Sequence, residues 1–296
     1  MSIISSYIRH NFAKGDRKRD AGLSTPADIQ RYDNILYGTD KKRQVLDIYR
    51  PAGSSGLLPV IVSVHGGGWV YGDKELYQFY CMSLARRGFA VINFTYRLAP
   101  EFRYPAQIED TDSVIRWLLA NGRDHGLDTD NVFAVGDSAG GHLLSVYAAM
   151  LTDPQYAARY DLSLADGFRF RAIALNCGVY HQDMPKNRLA RHFSLLNNLL
   201  PKGWTEEDVK ALDSYDKISA GYPPTYVMSS NGDFLRNQVD LIVPQLQKHG
   251  IEHEVHIYGS EDEVQYHVFH VNIRYKEAEV CNDDECAFFR RHLKAD

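Results

Sequence analysis

The stretch Gly136-Asp137-Ser138-Ala139-Gly140-Gly141 constrains this chain more than any other. Residues 131–135 before it, Asn-Val-Phe-Ala-Val, are apolar and partly β-branched, as a buried strand requires, and residues 142–150 after it read as a helix. A strand, a tight turn and a helix therefore follow one another with no spare residues. In a G-x-S-x-G turn of this kind the serine occupies a strained bend at the strand end, and its small neighbours leave the hydroxyl open to approach. Ser138 is thereby the candidate nucleophile. A phosphate cradle is the competing use of clustered glycines, but no Lys-Ser or Lys-Thr pair follows them and no G-x-G-x-x-G occurs.

Residues 57–64 form a continuous apolar run, expected of a strand covered on both faces, and end in His65-Gly66-Gly67-Gly68-Trp69. Consecutive glycines build little structure, so bare backbone is wanted there, and close approach of N–H groups to a ligand oxygen is the usual reason. Helical spacing over 74–87 and 105–120 alternates with apolar strands over 89–94 and 131–135. Further strands are expected at 170–176, 224–230 and 251–258, with helices at 235–249 and 275–293. This alternation predicts a parallel sheet with helices on both faces. Residues 42–49 read as an early antiparallel strand. The first 40 residues read as helical pieces, with Ser24-Thr25-Pro26-Ala27-Asp28 as a helix start, and their amphipathic face suits a cover for a site mouth or a partner subunit. Residues 179–221 form a long insertion with helices expected over 189–200 and after Thr205-Glu206-Glu207, and at the end of a sheet such an insertion reads as a lid.

A length of 296 residues, 44% hydrophobic and 24% charged, is enough for one large α/β domain with a sizeable core. A net charge of −5 argues against nucleic acid as a partner, and the basic run from Lys14 to Arg19 is interrupted by Asp16. The four cysteines contain no C-x-x-C, which fits a reducing compartment and neither a zinc knuckle nor a redox motif. The N-terminal residues lack a signal-peptide core and no run of about 18 apolar residues occurs, so a cytoplasmic location with no membrane span is expected. His249, His253 and His256 have spacings reminiscent of metal ligands, but His253 and His256 fall on opposite faces of a strand, and no metal or cofactor is expected. The acidic loop Glu261-Asp262-Glu263 reads as solvated surface.

Taken together, His65-Gly66-Gly67-Gly68-Trp69, Tyr96-Arg97-Leu98-Ala99-Pro100-Glu101, Pro105-Ala106, Glu109-Asp110 and Gly136-Asp137-Ser138-Ala139-Gly140-Gly141, in that order, resemble the hormone-sensitive-lipase-like branch of the α/β hydrolases. The likeness covers residues 40–296. It implies an α/β-hydrolase fold: a mostly parallel eight-stranded sheet covered by helices on both faces, with a helical cap. The cap would combine residues 1–40 with the insertion at about 179–221, leaving 41–296 as the catalytic domain. It further implies a triad in the order nucleophile, acid, histidine, in which Asp233 matches the acid and His267 the base. His270, three residues on, is read as surface or packing. Asn237 stands where the family often has an acidic residue.

A serine is a weak nucleophile at neutral pH, so its proton must pass to a histidine that a carboxylate orients. The N–H groups of Gly67, Gly68 and Ala139 are then placed to bind the oxyanion of a tetrahedral intermediate. Trp69 and Tyr71 follow that loop and line the substrate pocket or pack as core aromatics. What the resemblance implies is a serine carboxylesterase for small acetyl-to-butyryl esters, with an acetylated carbohydrate as a natural substrate. An amide or formamide hydrolase on the same triad, or a non-catalytic small-ligand receptor on this fold, are the alternatives. Homo-oligomerisation is left open.

Overall fold

The computed structural model describes residues 3–184 and 191–294, and the expected helix start at Leu189 lies outside them. In chain order α1 (Ile3–Asp20) precedes β1 (Ile29–Leu36), β2 (Val45–Pro51), β3 (Leu58–Val64), α2 (Lys74–Ala85), β4 (Ala90–Phe94) and α3 (Ala106–Asn121). Next come β5 (Leu127–Asp137), α4 (Ala139–Thr152), α5 (Pro154–Ala158), β6 (Ala172–Asn176), α6 (Arg191–Leu199) and α7 (Glu206–Lys210). The chain ends with β7 (Thr225–Ser230), α8 (Val239–Lys248), β8 (His253–Tyr258) and α9 (Lys276–Arg291).

The eight strands of the described residues join one sheet in the order β1-β2-β4-β3-β5-β6-β7-β8. The β1/β2 and β2/β4 pairs are antiparallel and every other pair is parallel. Side chains leave the central strands alternately to the two faces. Val60, Val62, Val132, Ala134, Ile173, Leu175 and Val227 pack with Ile108 and Ile115 of α3, Leu143 and Tyr147 of α4, and Ile242 of α8. Ile61, Phe133, Val135, Ala174, Tyr226 and Met228 pack on the other face with Tyr80 and Leu84 of α2 and Phe288 and Phe289 of α9. The strands β4, β6 and β7 are buried along their whole length, which explains their unbroken apolar runs.

The N-terminal region departs from expectation. Residues 24–28 start no helix; Ile29 N donates to Pro26 O in a turn, and the sheet begins at Ile29, inside the segment assigned to the cap. The free edge of β2 takes up the β1 backbone from Ile29 to Leu36, with a bulge between Tyr32 and Ile35 where Asn34 has φ 59°. Edge pairing outweighs local helix-start chemistry here. Among the described residues, α1 alone remains of the expected N-terminal helical pieces. Among the described residues no helix is long and apolar enough to cross a membrane.

Behind the turn at Ser138, the α2/α9 face buries two carboxylates. Glu285 of α9, fully buried, accepts from Asn176 Nδ2 at 2.6 Å and from Tyr80 Oη at 3.3 Å. Asp137 accepts from Tyr77 Oη at 2.8 Å. Burial pushes Glu285 up to about 7, and the charge of Asp137 pushes in the same direction. The folded protein then holds a proton that the unfolded chain has released. This carboxyl's contribution to stability therefore declines as pH rises from about 4.5 to about 7 and is constant above. Glu285→Gln, which cannot ionise, removes that decline. Calorimetry should find its Tm rising relative to wild type across this pH window.

Candidate active site

The site lies where the C-terminal ends of β5, β7 and β8 converge on the start of α4. Ser138 holds φ 52° and ψ −116°, a conformation that side-chain-bearing residues adopt only when the surroundings enforce it. The enforcement is steric. A Cβ on Gly140 would overlap the carbonyl oxygen of Val64, and one on Gly136 would lie 2.6 Å from Gly140 O. With both positions bare, the first turn of α4 closes directly on the ends of β3 and β5. Ser138 N then donates to Asn176 O on the neighbouring strand at 3.0 Å.

The sequence-predicted residues come together. His267 Nε2 lies 3.0 Å from Ser138 Oγ, and His267 Nδ1 lies 2.7 Å from Asp233 Oδ1. A carboxylate can only accept, so Nδ1 carries the proton and Nε2 is left to accept from the serine hydroxyl. Asp233 has further partners: Oδ1 also accepts from Leu235 N at 2.9 Å, and Oδ2 accepts from Ser229 Oγ at 2.8 Å. Burial disfavours its charge, but these hydrogen bonds, that of His267 first, outweigh burial and hold the carboxyl below the usual carboxylate range. Asn231, which no sequence motif singles out, ties the two loops together. Its side chain accepts from Gln265 N at 2.9 Å and donates to Ser260 O at 2.7 Å.

The glycine-rich loop runs beside the serine. Gly67 (φ 114°) and Gly68 (φ 61°) line the same cleft as Ser138 and Ala139. Among the described residues the N–H groups of Gly67, Gly68 and Ala139 form no hydrogen bond. Gly66 N donates to Tyr77 Oη at 3.0 Å, so Tyr77 braces the loop against Asp137. His65 is stacked on Tyr96 at 3.9 Å, and its burial pushes it down to about 4, leaving a neutral ring that packs. The Tyr96-Arg97 segment supports this loop from below: Tyr96 Oη donates to His65 O, and buried Asp110 accepts from Arg97 N and Nε.

The cleft has a volume of about 890 Å³ and is walled mainly by apolar groups, among them Ile8 and Phe12 of α1, Leu195 of α6, and Phe234 and Val271. Trp69 and Tyr71 both line it, by different means. Trp69 is largely core, with Nε1 donating to His142 Nδ1 at 3.2 Å, whereas Tyr71 packs edge-on against Phe12 and donates to Asp16 at 2.7 Å. Helix α1 is further fixed by Arg9, which donates to Val70 O at 2.7 Å and Ala99 O at 3.0 Å. His270 lies outside the cleft lining. It is fully buried, edge-on to Tyr80, and pushed down by burial to about 3, so it is packing and not surface.

A model of the BD-FAE family matches residues 46–255, well over half of the chain. The chain belongs to the BD-FAE family. This is a hormone-sensitive-lipase-like α/β-hydrolase family, and the matched residues include the glycine loop, Ser138 and Asp233. Versiconal hemiacetal acetate esterase of Dothistroma septosporum is 27% identical over 69% of this chain and 65% of its own length. Carboxylesterase NlhH of Mycobacterium tuberculosis is 34% identical over 46% of this chain and 44% of its own. The chain thus spans less than two thirds of these curated relatives. The crystal structure of esterase B from Lactobacillus rhamnosis, inhibited by a tributyrin phosphonate, superposes with a TM-score of 0.87 at 26% identity. That match covers 98% of this chain and 95% of the other.

The two loop glycines of this BD-FAE chain should differ in tolerance. A Cβ at Gly67 would overlap Tyr71 O, whereas one at Gly68 meets only Leu195 Cδ2 at 3.4 Å. Urea unfolding should show Gly67→Ala losing more than about 2 kcal/mol and Gly68→Ala about 1 kcal/mol, the cost of a left-handed alanine.

Proposed function

We propose that this chain is a serine carboxylesterase that cleaves small acyl esters through an acyl-enzyme on Ser138. The observation that carries the reading is the relay from Ser138 Oγ through His267 to ionised Asp233, at 3.0 and 2.7 Å, on the floor of a cleft. His267 takes the serine proton as Oγ attacks the ester carbonyl, and Asp233 stabilises the imidazolium that forms. The oxyanion accepts from the amides of Gly67, Gly68 and Ala139, with Ala139 at the N-terminal end of α4, where the helix dipole favours negative charge. The alcohol leaves with the proton from Nε2. Water, deprotonated by the same nitrogen, then resolves the acyl-enzyme.

A short acyl chain fits the roof that α1 and α6 lay over the cleft. It also accords with the relatives: one is an acetate esterase, and esterase B is inhibited by a tributyrin phosphonate. The cleft carries Asp16, Asp137 and Asp183 against Arg19, whose guanidinium is already paired with Asp16 and Asp20. That field favours uncharged esters, carbohydrate acetates among them. Four free, buried cysteines suit a reducing, cytoplasmic setting.

A chain-length series of 4-nitrophenyl esters tests the reading. Activity should peak between acetyl and butyryl, and a steady rise to long chains would overturn the acyl preference. Ser138→Ala and His267→Ala should each lose about 10⁴-fold or more in kcat. Ser138→Ala should stay within about 1 kcal/mol of wild-type stability. His270→Ala should instead lose stability, by about 2 kcal/mol, and retain far more activity than His267→Ala.

A further inference from the structure

Phe234 has no role in the relay, yet it is 75% exposed, more than any other large hydrophobic among the described residues. It follows Asp233 directly. The turn that holds the carboxylate, with Leu235 N donating to Asp233 Oδ1 and Arg236 N to Asp233 O, also fixes where Phe234 projects. Its ring centroid lies 4.4 Å from that of His267, with the planes at 46°, and it lines the cleft. Exposure alone would mean little for a single ring; its place on the cleft lining, against the imidazole, leaves most of its surface open to a bound molecule.

The chemistry says for which part of the substrate. In the esterase reading, on which this inference rests, acylation forms the bond from Ser138 Oγ to the acyl carbon and breaks the bond from that carbon to the alcohol oxygen. The proton that Nε2 took from the serine goes to that oxygen. The departing alcohol must therefore pass within hydrogen-bond reach of Nε2. The side of the cleft beside the imidazole is the leaving-group side, and Phe234 is the ring that flanks the imidazole there. The cleft lining also includes polar groups, Asn237 and His181 among them.

We propose that Phe234 is a specificity-determining residue whose ring is a stacking platform for the alcohol, selecting leaving groups with a flat, apolar ring face over small straight-chain ones. Benzyl butyrate and ethyl butyrate share an acyl group and have alcohols of similar basicity, so the ratio of their kcat/KM values isolates the leaving group. Phe234→Ala should lower the benzyl-to-ethyl ratio about three- to tenfold, the range of an aromatic pair, and Phe234→Trp should restore it. An unchanged ratio in Phe234→Ala would overturn the proposal. Binding is read separately from turnover by titrating benzyl butyrate into Ser138→Ala and into the Ser138→Ala, Phe234→Ala double variant. The double variant should bind several-fold more weakly, and equal affinity would overturn the proposal. If wild type hydrolyses neither ester, the esterase reading fails, and the binding comparison still decides whether Phe234 is a platform.

Discussion

The conformation of one residue sets the geometry of the whole site. Ser138 keeps a positive φ because the first turn of α4 is pressed against the ends of β3 and β5 so closely that Gly136 and Gly140 have no room for a Cβ. Such strain costs about 1–3 kcal/mol and persists only where packing over-determines it. Here the packing is the central, fully buried part of the sheet. The same close approach places Ala139 in one cleft with the glycine loop and turns the Ser138 hydroxyl towards His267, so a strained backbone, a half-buried serine hydroxyl and amides without a hydrogen bond among the described residues have a common cause.

The surrounding residues hold loops against that fixed point. Asn231 joins the loop of Asp233 to that of His267, and Tyr77 joins the glycine loop to Asp137. Arg9 and Tyr71 attach α1 to the loop that carries Gly67. The price of placing so many polar groups near the sheet is a pair of buried carboxylates, Asp137 and Glu285, both raised by burial towards neutral pH. Glu285 holds Asn176, whose carbonyl in turn accepts from Ser138 N. The acid behind the sheet is thus two contacts from the serine.

Much of this was legible from residue order. Apolar runs bounded by glycine and proline marked β3 to β7 because those strands are covered on both faces. The G-x-S-x-G turn and the three loop glycines pointed to positions where only bare backbone fits. Asp233 and His267 followed from the resemblance, and the structure brings both to Ser138. Where local signals run out, long-range contacts decide. Residues 29–36 carry Asp33 and Asn34 and pair because β2 offers an edge, which no local signal announces. His270 and Glu285 look polar in sequence, yet both are fully buried among α2, α9 and the sheet. Trp69 and Tyr71 were indistinguishable until their partners, His142 and Asp16, were known.

The central claim is that Ser138 becomes covalently acylated with His267 as its base. Mixing the protein with 4-nitrophenyl butyrate, quenching in acid within the first turnover and mapping peptides by mass spectrometry tests it most directly. The account predicts one butyryl group on the peptide that carries Ser138, absent from Ser138→Ala and strongly reduced in His267→Ala. A butyryl group on another residue, or its persistence in Ser138→Ala, would contradict it.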